Sequence, residues 1–145
     1  MKNLLTSCCL LLLVTALAQG HCQIPCGIYG DDTRFSLLME HVKTIRISVQ
    51  KLKALSQKKE PDHNQIARWV SNKDAHADKI IDTAAHYFLA QRIKKSQGQY
   101  AEKLELLHGI IVSAMKTKQS LDEDAVDRLG KLLLRFKKTY LASAY

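Results

Sequence analysis

Four stretches of this chain repeat apolar residues three or four positions apart, and polar or helix-breaking residues separate them. This spacing predicts four helices, each with one buried face. The first helix is expected over about 33–57 and the second over about 61–93. The third begins near Tyr100, and the sequence Ser-Leu-Asp-Glu at 120–123 has the form of a capping box at the start of the fourth.

No strand-like run interrupts this series, and the breaks between the helices are short. Short connections favour antiparallel neighbours, so we predict an all-α, up-down four-helix bundle. The apolar positions of the four predicted helices are, in order, Leu38, Val42, Ile45, Val49, Leu52 and Leu55; Ile66, Trp69, Val70, Ala77, Ile80, Ile81, Ala84, Phe88 and Ile93; Tyr100, Leu104, Leu107, Ile111 and Ala114; and Val126, Leu129, Leu133, Phe136 and Tyr140.

Residues 1–20 have the features of a secretory leader. Lys2 supplies a positive charge, an apolar run follows, and Ala-Gln-Gly at 18–20 is a small-x-small cleavage site. The apolar run is too short to span a membrane. We therefore expect cleavage between Gly20 and His21, a secreted or periplasmic protein without stable membrane association, and a single domain over 21–145.

The charge of the mature chain favours an anionic partner or substrate. Lys2 is the only charged residue of the predicted leader, so the mature chain would carry 21 basic against 14 acidic side chains, a formal charge of +7. The basic residues are spread along the helices, with few aromatic residues between them. No nucleic-acid-binding motif is present, and we expect no nucleic-acid partner.

Of the four cysteines, Cys8 and Cys9 would leave with the leader, and Cys22 and Cys26 would remain. In an oxidising compartment such a pair can form a disulfide, which would make the protein a stapled helical interaction module. Cleavage before His21 favours metal ligation instead, because it frees an α-amine with a pKa of about 7.7–8.0 beside an imidazole and two thiols. Two soft thiolates with two nitrogen donors suit Ni(II) or Cu(II) in square-planar geometry.

The sequence His21-Cys22-x-x-Pro25-Cys26-x-x-Tyr29 resembles the mature N-terminal motif of the nickel-containing superoxide dismutase family, His-Cys-x-x-Pro-Cys-x-x-Tyr. The resemblance covers nine residues, 21–29, and matches at every specified position. That segment is called the nickel hook below.

The resemblance implies an enzyme that converts superoxide to oxygen and hydrogen peroxide through Ni(II)/Ni(III) cycling. It implies one nickel ion per subunit, with His21, Cys22 and Cys26 as metal ligands and the His21 imidazole as the axial ligand of the oxidised state. Tyr29 would lie beside the metal channel and order water or the incoming anion. The same family resemblance implies a homohexamer. An exported nickel- or copper-binding or delivery protein, which binds the metal without turnover, is the alternative.

The remaining histidines are expected to be surface or core residues. His41, His63, His76, His86 and His108 form no His-x3-His pair of the kind that marks a metal site on one helix. Trp69, Tyr87 and Phe88 are likewise expected in the core or at an interface.

Overall fold

A computed structural model describes residues 30–142, and all regular structure in this range is helical. The helices are α1 (Asp31–Ser56), α2 (His63–Asp82, continuing as a π-helix over Thr83–Arg92), α3 (Tyr100–Gln119) and α4 (Glu123–Ala142). Helices α1 and α2 begin and end, and helices α3 and α4 begin, within about three residues of the sequence-based positions. The predicted leader and the nickel hook lie outside the described residues.

The four helices form an up-down bundle, as predicted. Helix α1 packs against α2 and α4, and α3 packs against the same two helices. The connections at 57–62, 93–99 and 120–122 are short, so sequential helices are antiparallel. In the described part of the chain, none of the helices is both long enough and apolar enough to cross a membrane.

Helix capping follows the sequence at α2 and departs from it at α4. Asp62 caps α2 by accepting a hydrogen bond from the backbone N–H of Gln65 at 3.0 Å. The predicted capping box at 120–123 is wrong: α3 extends to Gln119, so Ser120 is its C-cap. Asp122 caps the start of α4 instead, because its carboxylate accepts a hydrogen bond from the backbone N–H of Asp124 at 2.9 Å.

The core contains most of the predicted apolar positions of α1 and all five of α4. The buried set in α1 runs from Phe35 to Leu52, and α4 buries Val126, Leu129, Leu133, Phe136 and Tyr140. In α3 the predicted face is displaced by about one residue. Its buried positions are Lys103, Leu106, Leu107, Ile110, Ser113, Ala114 and Thr117, whereas Tyr100, Leu104 and Ile111 are only partly buried.

Lys73 in α2 is buried, with 2% of its surface exposed. Its ammonium donates to the backbone carbonyls of Thr117 at 2.6 Å and Lys118 at 2.8 Å, and to the Asp74 carboxylate at 2.9 Å. All three ammonium protons therefore have acceptors. The charge also satisfies carbonyls at the end of α3, where the helix dipole favours a cation.

Candidate functional site

The four predicted site residues, His21, Cys22, Cys26 and Tyr29, lie outside the residues that the structure describes. The structure does define the end of the bundle to which the hook is covalently joined. The chain enters α1 at Asp31, two residues after Tyr29. Because neighbouring helices are antiparallel, the start of α1, the end of α2, the start of α3 and the end of α4 meet at this end, which is called the hook end below.

A network of hydrogen bonds between buried and partly buried side chains at the hook end is centred on the Asp31 carboxylate. Tyr87 donates its hydroxyl to Asp31 Oδ1 at 2.6 Å, and Tyr140 donates to Oδ2 at 2.8 Å. Arg92 donates through Nε to Asp31 Oδ1 at 3.2 Å and through a terminal nitrogen to the Tyr87 hydroxyl at 2.9 Å. These four residues, called the Asp31 cluster below, join α1, α2 and α4.

The π-helical end of α2 makes this arrangement possible. Tyr87 and Arg92 are five residues apart, and five-residue hydrogen bonding continues to Ile93, whose N–H donates to the Phe88 carbonyl at 3.0 Å. In an α-helix, side chains five positions apart point in different directions. The wider π-helical turn stacks them, and the Arg92 guanidinium lies 4.8 Å from the centre of the Tyr87 ring.

Four packed aromatic rings lie next to the Asp31 cluster and stabilise it. The rings of Phe35, Phe88, Phe136 and Tyr140 all contact one another, with centroid separations between 4.9 and 5.7 Å. Aromatic pairs of this kind contribute about 0.5–1.5 kcal/mol each beyond their buried area. The ring of Tyr140 belongs to this core while its hydroxyl reaches Asp31, so the polar network is fixed to the packed interior. Phe88 thereby confirms its predicted core position.

Burial and the Asp31 carboxylate keep both tyrosines of the cluster protonated. Desolvation, followed by the hydrogen bond to Asp31, raises the pKa of Tyr87 and the pKa of Tyr140. The hydrogen bond to Tyr87 raises the pKa of Arg92 despite its partial burial. At neutral pH the cluster therefore holds one guanidinium and two hydroxyl donors in defined positions.

Further basic side chains give the hook end a positive balance. Lys103, near the start of α3, is 1% exposed, and its ammonium lies 5.7 Å from the centre of the Tyr140 ring. Burial lowers the pKa of this lysine. Lys137 lies 3.9 Å from Asp32, and Arg34 lies over the Tyr87 ring at 5.3 Å. Positive charge of this kind raises the local concentration of small anions, an effect that salt weakens.

Sequence reasoning missed the Asp31 cluster. Nothing in the sequence singles out Asp31, which directly follows Gly30, the N-cap of α1. Asp31 lies in the first turn of the helix, and its carboxylate is directed to side chains 56 to 109 residues away. No local pattern identifies such partners, because they depend on the bundle topology and on the π-helical turn.

Two histidines also form a pair that their spacing did not predict. His41 in α1 and His76 in α2 place their Nδ1 atoms 3.0 Å apart. Both side chains are half-buried. Burial is the largest cause that lowers the pKa of each, and the positive charge of Lys79 adds to it. The two residues are 35 positions apart on different helices, so the sequence spacing gave no indication of this contact.

Among residues 30–142, no group of three or more histidine, cysteine, aspartate or glutamate side chains has the geometry to hold a metal ion. All four cysteines of the chain lie at positions 8, 9, 22 and 26. If the leader is cleaved as predicted, the hook would offer one primary amine, one imidazole and two thiolates, and these donors would fit nickel because thiolate and nitrogen donors suit this ion.

The described residues form an all-α bundle, and the donor types of the predicted hook point to a helical metalloprotein. Within that class, the model of the nickel-containing superoxide dismutase family matches residues 16–144, which is most of the chain. The chain belongs to this family: it is an oxidoreductase that acts on superoxide and uses nickel. The chain matches no curated protein and no solved structure. Family membership favours the enzyme over the delivery protein that the hook alone left open.

Proposed function

We propose that nickel is bound at the processed N-terminus of this protein by His21, Cys22 and Cys26, and that superoxide is disproportionated there. The observation that carries the proposal is the motif itself: every specified position of the nine-residue hook is matched, and the hook lies within the span that the family model covers. The coarser conclusion, a nickel superoxide dismutase, rests on the family match alone.

The ligand chemistry explains why the N-terminus must be processed. After cleavage, the α-amine of His21, the amide nitrogen of Cys22 and the Cys22 thiolate are close enough along the chain to form fused chelate rings, and Cys26 supplies a second thiolate. When bound, nickel supplies the one-electron exchange between Ni(II) and Ni(III) that the reaction needs. His21 would also contribute its imidazole as a nitrogen donor to the ion.

Other side chains of the protein would attract the substrate and order water or the anion near the metal. Two superoxide ions and two protons give one oxygen molecule and one hydrogen peroxide molecule, so the site must admit a small anion and deliver protons. The basic side chains Arg34, Arg92, Lys103 and Lys137 attract anions to the hook end. Tyr29 is proposed to order water or the incoming anion beside the metal.

Export and assembly complete the proposal. The leader at 1–20 would direct the chain to a secreted or periplasmic location, and cleavage after Gly20 would produce the metal-binding amine. A homohexamer is proposed by family resemblance. Its subunit contacts are proposed to include a groove of about 510 Å³ between α1 and α2, lined by Ile47 and Trp69 among others. Sedimentation analysis of the mature protein tests the hexamer.

Replacement of the hook cysteines tests the ligand assignment. Cys22→Ser and Cys26→Ser should each lose nickel and fall to background superoxide-consuming activity. Their helical circular dichroism should be unchanged, because the described core contains no cysteine. Cys9→Ser, in the leader, is the matched control and should retain both nickel and activity. Full nickel content and activity in Cys22→Ser or Cys26→Ser would contradict the proposal.

A superoxide assay of the nickel-loaded wild type and intact-mass analysis separate this proposal from a delivery protein and from a disulfide-stapled module. A delivery protein would bind nickel in the wild-type chain without consuming superoxide. A disulfide-stapled module would be metal-free and two hydrogens lighter before reduction in intact-mass analysis, and its serine variants would lose helical structure.

A further inference from the structure

We propose that His41 and His76 form a second metal site, which binds a borderline divalent transition-metal ion through the two Nδ1 atoms and is separate from the nickel hook. The site lies on the face between α1 and α2. It differs from the hook in its donors, because it offers two imidazoles and no sulfur.

The separation of the two nitrogens fits a shared ion. Zinc binds imidazole nitrogen at about 2.0–2.1 Å, so two such ligands at 90° to 110° around one ion lie about 2.9–3.4 Å apart. The Nδ1 atoms of His41 and His76 are 3.0 Å apart. The ring planes are inclined at 73°, with centroids 4.9 Å apart, so the two nitrogens converge from different planes instead of stacking.

The helices hold the pair in place without the metal. One turn beyond His76, Asn72 donates from its side-chain amide to the Ser48 hydroxyl of α1 at 3.0 Å. Ser48 donates in turn to the backbone carbonyl of Thr44 at 2.9 Å. Ala77, next to His76, is fully buried and lets the two helices approach closely. A site on two rigid helices keeps its ligands preorganised, which favours binding.

The protonation state of the pair suits metal binding. A neutral imidazole is the form that binds a metal, and burial together with Lys79 disfavours the charged form of both rings. Without metal, one Nδ1 must carry a hydrogen that the other accepts. Binding requires both rings to carry that hydrogen on Nε2, a tautomer change that leaves the net charge unaltered.

The charges near the pair, and the coordination positions that two imidazoles leave open, determine which metal ion the site would bind. Glu40 acts on both rings with a favourable negative charge, and Lys79 opposes it. Because the described residues offer no third side-chain ligand here, water or a small anion would occupy the other positions of the ion. Two imidazoles with water suit zinc, copper or nickel and not magnesium or calcium.

Zinc titration of the nickel-loaded protein tests the proposal, because the hook is then already filled. We expect one additional equivalent of Zn²⁺ per chain by calorimetry and metal analysis. His41→Gln and His76→Gln should each lose it, whereas His108→Gln, at an exposed single histidine of α3, should retain it. Lys79→Gln should bind Zn²⁺ more tightly than the wild type, since the opposing charge is removed.

Measurements on the wild-type chain keep the test decisive even if a variant fails to fold. Zn²⁺ should shift the ¹⁵N imidazole resonances of two histidines in the nickel-loaded wild type and raise its melting temperature, since a ligand that binds only the folded state stabilises it. The proposal is overturned if the wild type binds no additional Zn²⁺, or if His41→Gln and His76→Gln bind it as the wild type does. Neither result bears on nickel at the hook.

Discussion

Tyr140 donates its hydroxyl to Oδ2 of Asp31 at 2.8 Å, across 109 positions of sequence. This bond joins the last turn of α4 to the first turn of α1, immediately after the hook. The same carboxylate accepts hydrogen bonds from Tyr87 and Arg92 of α2. One side chain therefore fixes the orientation of three helix ends next to the point where the predicted hook joins the bundle.

Removal of the Asp31 carboxylate should destabilise the bundle. Asp31→Ala removes one acceptor from the Tyr87 and Tyr140 hydroxyls and from the Arg92 guanidinium, and we expect a loss of about 2 kcal/mol in the free energy of unfolding by urea. Asp32→Ala is the matched control, because the Asp32 side chain is 84% exposed and its ion pair with Lys137 spans 3.9 Å. Equal stability losses in the two variants would contradict the assigned role of Asp31.

Alkaline pH should weaken the protein through the two tyrosines of the cluster. Their pKa values are raised in the folded state, so the unfolded chain releases these protons first. The stability that they contribute is fully present below a pH of about 10 and is lost as the pH rises towards the folded pKa values. In urea unfolding between neutral and alkaline pH, Tyr140→Phe should show a shallower decline than the wild type.

Tyr100→Phe is the control for that measurement, because Tyr100 is only partly buried at the start of α3. Its pH profile should follow the wild type. A Tyr140→Phe profile parallel to that of the wild type would mean that this hydroxyl does not titrate as the structure implies.

The buried Lys73 should be essential to stability. Lys73→Met keeps the length of the side chain but leaves the carbonyls of Thr117 and Lys118 without their buried donor. We expect a loss of about 3 kcal/mol in the free energy of unfolding, within the range for a broken buried charge network. Lys116→Met, at an exposed position of α3, should change stability by less than about 0.5 kcal/mol. A stability loss in Lys73→Met no larger than that in the control would refute this.

Lys103 should behave in the opposite way. It is 1% exposed, its pKa is lowered by burial, and its ammonium lies over the face of the Tyr140 ring. Lys103→Met removes the desolvated charge and keeps the apolar stem, so thermal unfolding at neutral pH should move to higher temperature. A lower melting temperature than that of the wild type would show that the ammonium stabilises the fold.

The sequence predicted helix number, helix bounds and bundle topology well, because these depend on local periodicity, caps and loop lengths. It misplaced the buried face of α3, which includes Lys103 and Ile110 and not Leu104 and Ile111. The displaced face keeps the same helical spacing, so periodicity alone could not choose between the two stripes. Packing against the neighbouring helices made the choice.

The candidate sites likewise divide into one that the sequence predicts and two that it does not. The hook is contiguous in sequence, and its residue types identified it, although His21, Cys22, Cys26 and Tyr29 lie outside the described residues. The Asp31 cluster and the His41–His76 pair join different helices. Predicting either requires the register between helices to within one residue, which loop lengths do not provide.

The central claim is that cleavage before His21 creates the nickel ligand set. The most direct test is N-terminal sequencing of the exported, active protein together with its nickel content. We expect the chain to begin at His21 and to carry one nickel ion per subunit, and an extra alanine before His21 to abolish both nickel binding and activity. Active, nickel-loaded protein that begins at any other residue would contradict the claim.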